Sequence, residues 1–100
     1  MTLDDFIQAT QDSAAAAPKE LPELLLALWH SKRAEWEKAH EIVQALDTPD
    51  AAWVHAHLHR VEGDLPNARY WYGRADRAEP SHETAEEWRV ITKSLLETYE

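Results

Sequence analysis

Histidine is concentrated in one segment of this sequence, where His55, His57 and His59 occupy alternate positions. On a helix, His55 and His59 would lie one turn apart on the same face, a spacing that suits shared coordination of a transition metal, whereas His57 would point elsewhere. Glu62 follows three residues after His59, and His30 is available from an earlier segment, so a His/His/Glu metal site can be assembled. The chain has no HExxH motif and no cysteine that would complete a recognised site.

The same histidines also admit two interpretations without a metal. His55 and His59 could lie where two helices meet and form hydrogen bonds to the backbone or to an acidic side chain. They could also line a partner groove and titrate near neutral pH, as imidazole groups do. The sequence favours the first of these interpretations, because a pair of histidines at helical spacing lacks the further ligands that a metal centre needs.

A second group of residues could recognise an anionic partner. Residues 60–77 hold four arginines against three acidic residues, a local charge of +1, and the rest of the chain sums to −10 because the total is −9. Guanidinium groups bind carboxylates and phosphates in a forked geometry, so a basic island beside an aromatic ring could dock such a group. The alternative is internal pairing of these arginines with Asp76 and the acids of the last helix. The members of this Arg/Tyr island are Arg60, Arg69, Tyr70, Arg74 and Arg77.

Recognisable catalytic motifs are missing from the sequence. Its two glycines are Gly63 and Gly73, so it has no glycine-rich phosphate loop. Ser31 and Ser94 lack the context of a catalytic triad, and no pair of carboxylates shows a spacing typical of acid–base chemistry. The sequence therefore favours a non-catalytic protein that uses no cofactor.

Composition and net charge narrow the possible class of protein further. One hundred residues with 44% hydrophobic side chains suffice for one domain with a single core. The net charge of −9 disfavours nucleic-acid binding, since phosphates would be repelled. No apolar run reaches the length of a membrane span, and the opening MTLDDFIQ has two Asp where a signal peptide needs basic residues. We therefore expect a cytoplasmic protein without membrane partners.

Helical periodicity places these groups on a single all-α domain. The predicted layout is an N-terminal helix over 1–11, a linker over 12–21, a hairpin over 22–46, a second hairpin over 49–79 and a capping helix over 82–99.

Capping residues support three of the predicted helix starts. Thr2 and Asp5 have the spacing of a capping box, in which each side chain bonds the backbone of the other. Thr48 suits an N-cap position before the next helix. Gly63 stands where a left-handed residue ends a helix, and Asp64 can cap the helix that follows.

The apolar spacing also predicts which side chains are buried. Because consecutive helix positions diverge by roughly 100°, one ring of the run 70–72 must be peripheral, and we expect it to be Tyr70. His40 and Glu41 are expected on an exposed helix face, and Glu87 on a solvated acidic face. The stripe expected to be buried on the second helix of hairpin two is Leu65, Ala68, Trp71, Tyr72 and Ala75.

An internal repeat with an offset of 29 residues aligns Ala27 with Ala56 and Ala39 with Ala68. Small residues recur where two helices of a hairpin approach closely. Over residues 22–80 the spacing resembles the tetratricopeptide repeat, which implies nested antiparallel helical hairpins.

The second copy fits that pattern better than the first. Its matching residues are Ala56, Gly63, Leu65, Ala68, Tyr72, Ala75 and Pro80. The first copy departs from the pattern, because Ala34 occupies the position of the turn glycine and the linker to the next helix is shorter than that of the family. The carboxylate clamp of that family, which uses Lys, Asn and Arg at fixed groove positions, is not matched. The string LHRVEGDLPNARYWYGRA also resembles a family of small bacterial proteins of unknown role, which implies no activity.

The leading hypothesis is a non-catalytic interaction module. It would bind a protein segment, or another copy of itself, through a helical groove and the Arg/Tyr island. The rival hypothesis is a small metal-binding or metal-dependent enzyme built on His55 and His59. A third hypothesis is a homodimer formed through Trp29 and Trp36 of the first hairpin.

Overall fold

The structure is a computed structural model, and it describes residues 1–11, 16–18 and 20–99. Within these ranges the chain forms helices and no strand, which confirms the predicted all-α class. Residues 12–15 and 19 of the predicted linker lie outside the described residues. The helices are α1 (Leu3–Gln11), α2 (Glu23–Lys32), α3 (Trp36–Gln44), α4 (Pro49–Val61), α5 (Leu65–Arg74) and α6 (Thr84–Thr98).

The predicted caps are present at three helix starts. The amide of Asp5 donates to Thr2 Oγ1 over 3.1 Å, and the amide of Thr2 donates back to the Asp5 carboxylate over 3.3 Å. Thr48 Oγ1 accepts a hydrogen bond from the backbone amide of Ala51 over 3.1 Å. The Asp64 carboxylate caps α5 in the same manner over 3.4 Å. These bonds satisfy amides that the first helical turn leaves without intrahelical partners.

The turns that join α2 to α3 and α4 to α5 share one geometry. Ala34 and Gly63, 29 positions apart, both adopt left-handed backbone angles, with φ of 62° and 87°. In both turns the amide of the following residue donates to the carbonyl oxygen five positions earlier over 2.9 Å. The first hairpin therefore ends α2 with an alanine in a conformation that normally favours glycine.

Helix α4 lies at the centre of the core. Every residue from 51 to 59 is buried, because α2, α3, α5 and α6 all pack on this helix. The small residues aligned by the 29-residue offset are also buried. They lie in α2, α3, α4 and α5 and are Ala27, Ala39, Ala56 and Ala68. The tetratricopeptide resemblance itself remains a prediction.

The last helix covers α2 and α4 rather than extending the array beyond α5. Helix α6 packs on both α2 and α4, and α1 lies against α2 and α6. Phe6 of α1 is buried with its ring 5.9 Å from that of Trp88 on α6. Among the described helices, α5 packs on α4 alone, so one side of α5 faces outward.

Four expectations about burial need correction. Leu65 is 39% exposed because none of the other described helices covers that side of α5, and Trp71 is only partly buried. His40 is partly buried because α3 turns it toward α4. Glu87 is 2% exposed, since α6 directs it into the core where three donors meet it.

Across the described ranges, no helix has the length and apolar character needed to cross a membrane.

Candidate functional site

The outward side of α5 carries part of the predicted Arg/Tyr island. We call this surface the α5 face and define it by Leu65, Arg69, Tyr70 and Arg74, all of which are exposed. Arg69 Nε lies 3.0 Å from the Glu79 carboxylate. Such solvent-exposed ion pairs contribute at most about 1 kcal/mol, so Arg69 can exchange Glu79 for another carboxylate at little cost.

Arg74 and Tyr70 are coupled on the same face. Arg74 Nη1 donates to the Tyr70 hydroxyl over 3.0 Å, and its Nη2 lies 3.6 Å from a carboxylate oxygen of Asp47. Both side chains of that ion pair are exposed to solvent. Tyr70 is 55% exposed, as expected from the divergence of neighbouring rings on a helix. The α5 face therefore presents a cation beside an uncovered aromatic ring.

The other two members of the Arg/Tyr island have different environments. Arg77 lies over the ring of Trp53, with 3.4 Å between the guanidinium carbon and the ring centroid, and both residues line a cleft of about 320 Å³. Arg60 donates to the Glu87 carboxylate over 3.1 Å and to the backbone carbonyl of His82. Arg60 is therefore a partner of the buried carboxylate rather than part of the α5 face.

Glu87 forms the centre of a buried polar network. One carboxylate oxygen accepts from His57 Nδ1 over 2.8 Å and from Arg60, and the other accepts from the Tyr72 hydroxyl. Burial alone would raise the pKa of Glu87, but the hydrogen bonds from His57 and Tyr72 outweigh it and hold that pKa below its usual value. Burial, together with the neighbouring Glu87, raises the pKa of Tyr72. The network keeps Glu87 ionised and ties α4, α5 and α6 together.

A signal for this network was present in the sequence. Glu87 precedes Ile91 by one turn, and Ile91 precedes Leu95 by another, so the three side chains share a face of α6. Ile91 and Leu95 are both buried. A carboxylate at the start of an apolar stripe is evidence for a buried acid with dedicated donors.

Three histidines converge between α3 and α4. His40, His55 and His59 each place one possible ligand nitrogen within 4.8 Å of the others, and we call them the histidine cluster. His40 Nε2 and His55 Nε2 are 3.1 Å apart and share a hydrogen bond. The rings of Trp36 and Trp71 stack on those of His40 and His55, with centroid separations of 4.7 and 3.9 Å.

Burial favours the uncharged form of two rings of the histidine cluster, His40 and His55. Burial, followed by the proximity of His40 and His59, lowers the pKa of His55 to about 4. Burial is also the main cause of the lowered pKa of His40. Both rings are therefore neutral at pH 7, with nitrogen lone pairs available for bonding.

The other predicted ligands have distinct positions. Glu62 Oε2 lies 2.6 Å from His59 Nδ1, so this acid orients a ring of the histidine cluster. His30 instead pairs with Glu35, at 2.8 Å between Nδ1 and the carboxylate, and does not belong to the histidine cluster. The sequence interpretation missed His40, although its position one turn after Trp36 places both rings on one face of α3.

The tryptophans proposed for a homodimer are engaged within the chain. Trp29 is buried and donates from Nε1 to the carbonyl of Ala9 over 3.3 Å. Trp36 is partly buried and donates from Nε1 to the carbonyl of Leu58 over 2.7 Å. Both indole groups therefore make contacts within the chain, and the homodimer stays a prediction.

Comparison of the chain with protein-family models, curated proteins and solved structures finds no match to any of them.

Proposed function

We propose that this chain is a non-catalytic interaction module that docks an acidic protein segment on the α5 face. The observation that carries the proposal is the position of α5, whose backbone packs on α4 alone among the described helices and which leaves Arg69, Tyr70 and Arg74 open to solvent. A helix with one uncovered side that carries both cations and an aromatic ring has the composition of a docking surface.

Charge supports an acidic partner. The α5 face carries two guanidinium groups on a protein whose net charge is −9. Their present carboxylate partners, Glu79 and Asp47, form exposed pairs that an incoming Asp or Glu can replace. Arg forms forked hydrogen bonds with carboxylates, which would orient the incoming segment.

Apolar contacts would add to the charge recognition. Leu65 and Tyr70 are large exposed side chains at the two sides of the same surface. Tyrosine and arginine are enriched at the energetically dominant positions of protein interfaces. A segment that combines carboxylates with an aliphatic or aromatic residue therefore matches the α5 face best.

The α5 face replaces the helical groove as the proposed docking surface. In a bare pair of hairpins, α2 and α4 would present a shared surface to a partner, but here α6 packs on both helices. A segment binding between α2 and α4 would have to displace α6 together with its buried residues Trp88, Ile91 and Leu95. Binding to the α5 face requires no such rearrangement.

The proposal can be tested by site-specific photo-crosslinking in the native cell. p-Benzoylphenylalanine is placed at position 70 in one version of the full chain and at position 99 in another, because Tyr70 and Tyr99 are both exposed. We expect a discrete crosslinked protein from position 70 only, and we expect an acidic peptide from that protein to bind the purified chain. Equal crosslinking from both positions, or a captured protein whose acidic segments do not bind, would count against the α5 face.

A further inference from the structure

The histidine cluster has the dimensions of a metal site. Zinc bonded to imidazole at about 2.0–2.1 Å in tetrahedral geometry separates its ligand nitrogens by roughly 3.4 Å. The nitrogens of His40 and His55 are 3.1 Å apart, and the cluster's three ligand atoms all lie within 4.8 Å of one another. Small rotations of the rings would bring the three nitrogens to the separations that one ion requires.

Glu62 supplies the support that a metal-binding histidine normally has. His59 Nδ1 donates to the Glu62 carboxylate over 2.6 Å, which leaves Nε2 as the nitrogen with a free lone pair. Metal-ligating histidines almost always donate their second nitrogen to a carboxylate or carbonyl, because this bond fixes the tautomer and the ring orientation. This hydrogen bond is independent of the convergence of the three rings.

Two tryptophans hold the other rings in place. Trp36 stacks on His40 and Trp71 stacks on His55, with interplanar angles of 11° and 14°. Trp36 is itself anchored by its hydrogen bond to the carbonyl of Leu58. Ring positions fixed by packing reduce the ordering that coordination would otherwise demand.

We propose that His40, His55 and His59 bind one divalent transition-metal ion, with Zn²⁺ as the ion to test first. Without an ion, one of His40 and His55 donates an Nε2–H to the other across their 3.1 Å contact. On binding, that proton moves to Nδ1 of the same ring, and both Nε2 atoms then bond to the ion. Imidazole nitrogen suits zinc, and three protein ligands leave the fourth tetrahedral position to water or an anionic group.

Calorimetry and cobalt spectroscopy test the site directly. The full chain without a His tag is stripped with a chelator and titrated with ZnCl₂, and in a separate experiment with CoCl₂. We expect one Zn²⁺ per chain and an intense visible absorption band typical of tetrahedral Co²⁺. Absence of stoichiometric Zn²⁺ binding would overturn the proposal without any substitution, and so would a weak octahedral cobalt spectrum.

Substitutions then assign the ligands. His40→Gln changes the partly buried member of the cluster, and circular dichroism reports whether the helices are retained. We expect this variant to lose Zn²⁺ affinity by about 100-fold or more, and Glu62→Gln to lose about 10–100-fold, the range for loss of a carboxylate behind a ligating histidine. His30→Gln is the matched control and should bind as the wild type does. Unchanged Zn²⁺ binding in folded His40→Gln would overturn the proposal.

A neighbouring set of residues at the turn after α4 offers a competing position for the ion. His59, Glu62 and Asp64 also bring possible ligand atoms within 4.8 Å of one another, and Glu62 and Asp64 are exposed. Asp64→Asn removes a carboxylate from that group and keeps a residue that caps helices well. We expect Asp64→Asn to retain Zn²⁺ binding, and its loss in this variant with retention in His40→Gln would place the ion at the turn instead.

Discussion

The Tyr72 hydroxyl on α5 donates a hydrogen bond to the buried carboxylate of Glu87 on α6, although the backbones of these two helices do not pack together. His57 on α4 and Arg60 near its end supply the other donors to the same carboxylate. A single acid therefore connects three helices through side chains. Removing the charge of Glu87 should lower the stability of the whole fold, because each donor would lose part of its hydrogen bonding.

We expect Glu87→Gln to lower the free energy of unfolding by about 3 kcal/mol, since the buried His57 and the partly buried Arg60 would lose their anionic partner. Urea denaturation at pH 7 measures the change. The matched control is Glu86→Gln on the exposed side of α6, which should stay within about 0.5 kcal/mol of the wild type. Equal stability of the two variants would show that the network contributes little.

Acid should destabilise the protein through His55. Its pKa in the folded state is about 4, below the ordinary value of 6.5, so the unfolded state binds the proton more tightly. The contribution is fully present above pH 6.5 and is lost as the pH falls toward 4, by up to about 3 kcal/mol. Urea denaturation at several pH values, with a chelator present, measures the slope.

A pair of variants assigns that slope to its residue. His55→Phe keeps an aromatic ring against Trp71 and removes one titrating group, so the slope below pH 6.5 should become shallower. The slope that remains includes the contribution of His40, whose pKa is also lowered by burial. His82→Asn alters an exposed histidine and should retain the wild-type slope. Glu87 loses its own contribution at lower pH, because its folded pKa lies below 4.5. A wild-type slope in His55→Phe would contradict the assignment.

The turn at Ala34 predicts a stabilising substitution. Ala34 is exposed and has a φ of 62°, where a Cβ is unfavourable, so glycine removes strain without loss of packing. We expect Ala34→Gly to raise the free energy of unfolding by about 0.5–1 kcal/mol, and Gly63→Ala in the equivalent turn to lower it by about 1 kcal/mol. Urea denaturation of both variants measures this opposition, and a destabilised Ala34→Gly would contradict it.

Charge reversal on the α5 face should weaken docking strongly and preserve the fold. The double variant Arg69→Glu/Arg74→Glu loses two exposed ion pairs and the exposed hydrogen bond from Arg74 to Tyr70, so its stability should change by about 1 kcal/mol or less. Its affinity for the crosslinked partner's acidic segment should fall about 100-fold, because two charge-assisted contacts become repulsive. Isothermal titration calorimetry measures the affinity.

The control for charge reversal lies on another helix. Arg89 and Lys93 are exposed on α6, and the double variant Arg89→Glu/Lys93→Glu makes the same change in net charge. This control should bind the acidic segment within about threefold of the wild type if recognition is local. Equal losses in the two double variants would indicate a response to net charge alone.

Local signals in the sequence were sufficient to predict the helices and the caps at three of their starts. The capping and turn residues act on backbone groups only a few positions away, so their roles can be inferred from spacing. These residues are Thr2 with Asp5, Thr48, and Gly63 followed by Asp64. The exposed position of Tyr70 followed from helical geometry in the same way.

Contacts between distant segments were the part that spacing could not predict. His40 meets His55 across 15 positions, and Glu87 meets His57 across 30. Their partners depend on how α3 and α6 pack on α4, which local periodicity does not specify. The expectation that Leu65 is buried was wrong for the same reason. Leu65 is exposed because α6 packs on α2 and α4 instead of on α5.

Amide chemical-shift mapping tests the docking proposal most directly. The ¹⁵N-labelled full chain is titrated with the acidic segment of the crosslinked partner, and each amide is followed by NMR. Docking on the α5 face predicts that the largest shifts fall within 65–74 and that amides of α2 and α6 are little changed. Shifts concentrated in α2 and α6, with those of α5 unchanged, would contradict it.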